Sequence, residues 1–194
     1  MRKLSLLILI FLGYSIQPIV AQFKRIDTTM KIGKSGYKVV CNNKNDDKNY
    51  ITITPVGFAN SARDVSFEVK GKIKSAEIDD LNNDLFPDLV LYVYPPGEKE
   101  KGTVIGVASE KNESFTGIMF PDIVDDPKLR TGYQGYDQFM LMEGTLMRKF
   151  PVYTVDSVGA KPTGMYRQVQ YRVVLGERGS LKFKVARSYE FAKQ

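Results

Sequence analysis

Histidine is absent from all 194 residues and cysteine occurs only once, so two common sources of protein chemistry are missing. Without an imidazole there is no Ser-His-Asp or Cys-His arrangement, no His-ligated zinc, and no side chain that ordinarily titrates near neutrality. With Cys41 alone, no internal disulfide can form even in an oxidising compartment. Its setting, Tyr37-Lys-Val-Val-Cys41, is that of a buried strand residue rather than a reactive thiol. Also lacking are a low-complexity linker, an internal repeat, a long amphipathic helical pattern and any block of like charge. The 28 basic and 22 acidic side chains are scattered, and they are not interleaved with aromatics as in nucleic-acid modules, so nucleic acid is not an expected partner.

What is present begins with an export leader, expected over residues 1–21. Arg2 and Lys3 supply the positive start, residues 4–12 an apolar core broken only by Ser5, and Ala21 a small residue before the cut. The mature chain is expected to begin at Gln22 and to carry 26 basic and 22 acidic groups, a formal charge of +4. The apolar core is too short for a bilayer, which takes about 20 residues, and no later window approaches that length. Gln22, not a cysteine that could carry a lipid, stands directly after the cut. A periplasmic or secreted product without a membrane span is therefore expected.

Short runs with period-two alternation and β-branched residues recur between turn signals. They predict strands at 36–41, 49–54, 64–69, 73–79, 88–94, 103–109, 138–142, 145–150, 166–175 and 180–191. The fold class that follows is all-β: an antiparallel sandwich or barrel-like single domain over 22–194. Residues 173–175, the Gly176-Glu-Arg-Gly179 turn and Ser180 onward read as a terminal hairpin. Tyr92, Tyr94 and Phe150 read as core, and Asn112-Glu-Ser114 as a surface turn. The longest weakly patterned stretch, 119–137, contains Pro121, Pro127, Gly132 and Gly135, and ordered loops of that length commonly carry function.

Three sets of residues could carry chemistry. The first is Asp80-Leu-Asn82-Asn-Asp84-Leu-Phe-Pro-Asp88, with oxygen side chains at positions 1, 3, 5 and 9 of a calcium-type loop. It resembles the aspartate-rich calcium loops of propeller blades, yet Leu85 stands where the sharp turn favours glycine, no glutamate closes the loop, and the motif occurs once. A turn that caps its own backbone explains the same residues without a metal. The second is a carboxylate pair drawn from Asp122, Asp125, Asp126 and Asp137, since a glycosidase needs only two acids. Asp125-Asp126-Pro127, however, reads as a turn start without an apolar pocket to separate two pKa values. The third is Pro162-Thr163-Gly164-Met165-Tyr166, where a permissive glycine can project Thr163 and Tyr166 together from a turn at the mouth of a strand.

Four segments in order resemble the periplasmic inhibitors of invertebrate-type (i-type) lysozyme. They are the Asp80 to Asp88 turn with its following apolar strand, Gly132-Tyr-Gln-Gly-Tyr-Asp-Gln-Phe139, Leu146-Met-Arg-Lys-Phe-Pro-Val-Tyr153 and Ala160-Lys-Pro-Thr-Gly-Met-Tyr-Arg167. Residues 23–72 carry no matching motif. The resemblance implies that Thr163, Gly164 and Tyr166 form a tip entering the cleft of a lysozyme, whose catalytic acids meet the two hydroxyls. It implies a second contact loop at Tyr133, Tyr136 and Asp137, with Tyr136 standing where the family has histidine. Lysozymes are often cationic, so a chain of charge +4 would need its acidic loop at Asp122, Asp125, Asp126 and Asp137 beside the tip to favour encounter. Competing expectations are a calcium-dependent or carbohydrate-binding envelope adhesion module that uses the aspartate turn with Tyr133 and Tyr136, and an envelope enzyme with two carboxylates. A homodimer through exposed edge strands is compatible with all three.

Overall fold

The computed structural model describes residues 24–59, 62–97 and 99–192. The expected leader at 1–21 lies outside these. Among the described residues, twelve strands form two sheets. The smaller is antiparallel, in the order β1 (Ile26–Ile32), β2 (Ser35–Cys41), β3 (Lys48–Val56) and β4 (Val65–Lys70). The larger runs β5 (Lys72–Asp79), β6 (Asp88–Tyr94), β7 (Thr103–Glu110), β8 (Ser114–Met119), then β12 (Leu181–Ala192), β11 (Gly159–Leu175), β10 (Thr145–Asp156) and β9 (Gln138–Met142).

That sheet curls until its edges nearly meet. Glu77 on β5 accepts from the Leu141 N–H on β9 at 2.8 Å, and Asp79 accepts from the Gly144 N–H at 2.8 Å, so two carboxylates clasp the edges where main-chain pairing stops. Elsewhere β8 and β12 pair in parallel over only Leu181↔Ile118 and Lys182↔Met119.

β6 explains the architecture. All seven of its residues are buried, which a strand with one wet face would not show. Val90, Tyr92 and Tyr94 point into the curled sheet, where Leu146, Phe150, Val169, Tyr171 and Phe183 meet them. Leu89, Leu91 and Val93 point the other way, onto Tyr37, Val39, Cys41, Ile51 and Ile53 of the smaller sheet. The four-stranded sheet thus covers the outside of β5–β7. Asn43 ties the two together, donating to the Ile73 carbonyl at 2.7 Å and accepting from the Ile73 N–H at 3.0 Å. The outer face of β9–β12 has no such cover among the described residues.

The all-β, antiparallel and barrel-like expectation holds. Cys41, Tyr92, Tyr94 and Phe150 are buried strand residues, as read from the sequence. Two strands were not foreseen. β1 alternates Ile26, Met30 and Ile32 with polar residues but leaves most of them half-exposed, and β8 is built around Phe115 and Gly117. Lys111 and Asn112, with φ of +54° and +58°, make the tight β7–β8 turn expected near Asn112. The 119–137 stretch holds one 3-10 turn, Ile123–Asp125, and one helical turn, α1 (Pro127–Arg130).

Candidate functional site

The 162–166 segment, expected to project from a turn at the mouth of a strand, lies within β11. It is not a hairpin end. β10 and β11 extend past it to a turn at 156–159, and the segment lies inside β11 as a bulge. Pro151 pairs with Tyr166 and Tyr153 with Pro162, so Val152 alone faces Thr163, Gly164 and Met165. The Thr163 hydroxyl donates to the Val152 carbonyl at 2.8 Å and accepts from the Met165 N–H at 3.1 Å. Its donor is spent on the chain itself. Gly164 has φ +79° and open space on the side where a Cβ would stand. The bulge re-aims the strand, and Tyr166 emerges half-buried on the outer face.

There Tyr166 meets residues far away in sequence. A hollow of about 330 Å³ is lined by Tyr136, Gln138, Pro151, Tyr153, Pro162, Gly164, Met165 and Tyr166. Tyr136 stacks on Tyr153 with ring centres 6.3 Å apart and planes 26° apart. Tyr166 stacks on its cross-strand neighbour Phe191 at 6.1 Å and 24°, and Phe191 meets Tyr189 at 6.1 Å and 42°. Two ring series, Tyr136–Tyr153 and Tyr166–Phe191–Tyr189, therefore lie on this face, and Tyr153 and Tyr166 meet at the hollow they both line. Partial burial, with Tyr136 and Tyr166 close by, pushes the Tyr153 phenol above its ordinary value, which keeps its proton available for donation. Lys149 lies 5.6 Å from the Tyr166 ring centre, and Arg187 lies 5.2 Å from that of Tyr189.

The second loop divides. Tyr136, with φ +61°, joins the hollow. Asp137 does not, and its expected role as a contact is corrected: it is fully buried and paired with Arg148, Oδ1 at 2.7 Å from Nε and Oδ2 at 2.8 Å from Nη2. The Gly102 N–H donates to Oδ2 at 2.8 Å, and so does the Tyr133 hydroxyl at 2.6 Å. Burial works to discharge the Arg148 guanidinium, but the hydrogen bonds and charge of Asp137 prevail and hold it above the usual arginine range. Phe120, Tyr133, Phe139 and Phe150 surround that guanidinium, each ring centre within 6.0 Å. Tyr133 thus belongs to a buried strut at the end of the curled sheet, bordering a separate pocket of about 840 Å³.

The acidic loop is likewise elsewhere. Asp122 accepts from the Val124 N–H and Asp126 from the N–H groups of Lys128 and Leu129, capping their turns. With Asp125 they border a groove of about 920 Å³ beside Tyr171, Lys182 and Phe183, not the tyrosine hollow. Arg167 anchors this loop to β11 by donating to the carbonyls of Lys128, Leu129 and Thr131.

The aspartate turn spends its oxygens internally. Asp80 accepts from the N–H groups of Asp84 and Leu85, Asn82 from that of Asp84, and Asp84 from that of Phe86. Leu85 adopts φ +70° without being glycine and is 89% exposed. Asp88 lies fully buried beneath, accepting from the N–H groups of Leu81 and Ser109 at 2.9 Å each. Burial pushes its pKa up to about 7 in spite of those two donors. Among the described residues, no three acidic or cysteine side chains are grouped to hold a metal ion.

Of the residues selected from sequence, the structure gathers Gly164, Tyr166 and Tyr136. It keeps Thr163 in the adjoining bulge with its hydroxyl bonded to the chain, and it separates the side chains of Tyr133, Asp137 and the aspartate turn from them. Tyr153, Phe191 and Tyr189 were not selected as site residues. Their signal is an aromatic at alternate strand positions, legible only once the register says which face each alternation occupies.

No family model and no curated protein matches the chain. Among solved structures it is similar to a Xanthomonas Type IV secretion system related protein. The identity is 10% and the TM-score 0.34, over 86% of this chain and 93% of that one. At that level the likeness carries no argument. Among the described residues, no helix is long and apolar enough to cross a membrane.

Proposed function

We propose that the chain is an exported inhibitor of an i-type lysozyme, acting by occupying the enzyme's cleft rather than by turning over a substrate. The observation that supports this reading is the convergence of Tyr136, Tyr153 and Tyr166 on one hollow, three phenols from three segments with no carboxylate among its lining residues. Lysozymes cut glycan with a pair of carboxyl groups. A phenol O–H donating to such a group in a water-excluded cleft makes a charge-assisted bond worth about 1.5–3 kcal/mol. Tyrosine also brings rigid area, roughly 150–250 Å² per ring, at low entropic cost.

The roles differ from those the motif alone implies. Tyr166 is the central contact, with Tyr136 and Tyr153 beside it, and Gly164 lets the enzyme's backbone approach closely. Thr163 holds the bulge that aims Tyr166. The test is lysis of cell walls by i-type, chicken-type and goose-type lysozymes in the presence of the parent or Tyr166→Ala. The expected result is that the parent slows the i-type enzyme and that the variant loses about tenfold or more in potency. Unimpeded lysis by every lysozyme class would remove the proposal.

A further inference from the structure

The hollow occupies one corner of a larger surface. Strand alternation turns the aromatics Tyr153, Tyr166, Tyr189 and Phe191 and the exposed methionines Met140 and Met142 to the outside of β9–β12. Their neighbours Phe139, Leu141, Leu146, Phe150, Val169, Tyr171 and Phe183 face the core. The outward set is rich in aromatics and Met, residue types enriched at the centre of a protein–protein contact.

Its strand positions carry charge of one sign, although Lys182 and Lys184 at its end also line the groove bordered by Asp122, Asp125 and Asp126. The strand positions of this face carry Lys149, Arg172, Lys182, Lys184 and Arg187 and no carboxylate, and among the described residues none of the five is in an ion pair. Arg172 and Lys184 are direct cross-strand partners, both exposed. Like charges placed opposite each other destabilise a sheet, so this arrangement costs the free protein stability. A second copy of the chain would bring the same cations against one another. An acidic surface would instead relieve them.

We infer that the target is an acid-rimmed lysozyme, one whose cleft is edged by carboxylates, and that its footprint extends from the hollow across Phe191 and Tyr189 to the Arg172–Lys184 pair. This rests on the reading of the hollow given above. The aromatic corner supplies the buried anchors, and the cations supply encounter rate and choice of partner. The net charge that disfavours a cationic lysozyme becomes the means of selecting an acidic one.

The test measures inhibition of i-type lysozymes of acidic and of basic net charge by four proteins: the parent, Phe191→Ala, Arg172→Glu with Lys184→Glu, and Arg172→Gln with Lys184→Gln. Far-UV circular dichroism and melting are followed in parallel. The parent is expected to inhibit the acidic enzyme about tenfold or more better than the basic one, with the advantage shrinking as salt rises. Phe191→Ala should weaken inhibition about tenfold, and charge reversal should abolish the preference. The glutamine pair should melt higher than the parent while inhibiting less, a combination that a purely structural role cannot give. If the parent inhibits but all three variants match it, the extended footprint is wrong and the hollow stands alone. If the parent inhibits no lysozyme, both readings fail. Retention on insoluble wall glycan or on single-stranded oligonucleotide that the variants lose, with inhibition unchanged, would assign the face to that ligand and overturn the inference.

Discussion

Asp137 separates a structural role from a contact role cleanly, and Asp137→Asn is the decisive change. Every group around its carboxylate is a donor: the Gly102 N–H, the Tyr133 hydroxyl, and Nε and Nη2 of Arg148. An amide would remove the charge and turn an NH₂ group toward those donors. It would leave a guanidinium that is 2% exposed without its counter-ion. Breaking a buried pair from one side costs about 3–5 kcal/mol, set against the roughly 5–15 kcal/mol that holds a domain of this kind folded. For a chain of this length each kcal/mol lowers Tm by about 2–4 °C, so a fall of about 6–20 °C is expected. Urea unfolding followed by far-UV circular dichroism measures it, since the chain has no tryptophan to report. Replacing both partners, Asp137→Leu with Arg148→Met, should recover most of the loss, because no uncompensated charge then remains buried. A single Asp137→Asn variant within about 1 kcal/mol of the parent would refute the buried-strut reasoning, as would one that lost inhibition at unchanged stability.

Three further outcomes follow from particular contacts. Thr163→Val keeps the shape but removes the bonds to the part-buried Val152 carbonyl and the exposed Met165 N–H, and should cost about 0.5–1.5 kcal/mol in a urea titration; no loss would mean the hydroxyl is free for a partner after all. Asp88 titrates near pH 7 in the folded chain against an ordinary value of 3.8, so the native state keeps a proton that the unfolded chain releases. Its contribution is full below about pH 4 and fades as pH rises through 7, with a slope of at most about 1.4 kcal/mol per pH unit, and Asp88→Asn should flatten that part of a melting profile. Gly36→Ala would place a methyl 2.0 Å from the Met30 carbonyl oxygen, forcing β1 from β2, and should lower Tm measurably; an unchanged melt would show that this hairpin yields at no cost.

Much of the fold was legible because local rules and global packing agree. Ten strands announced themselves by β-branched alternation between turns, and β6, Asp88-Leu-Val-Leu-Tyr-Val-Tyr94, reads as an unbroken apolar run because it is covered on both sides. β1 and β8 escaped notice because half-exposed strands with Thr or Gly at alternate places give weak periodicity. The candidate site was legible only in part. Thr163-Gly164-Met165-Tyr166 looks like a turn from its residues, but β10 offers it a partner on one side and β12 on the other, so it becomes a bulge within a long strand.

By itself the sequence determined which residues could be strands, that no imidazole chemistry exists, and that tyrosine would be the main aromatic donor. The tertiary structure alone decided which phenols meet, that Asp137 is interior, and that one sheet face collects five cations without a carboxylate. The physical reason is that composition and periodicity act over a few neighbouring residues. Register, sheet order and burial instead bring Tyr136, Tyr153, Tyr166 and Phe191 together from strands and loops that share no local pattern.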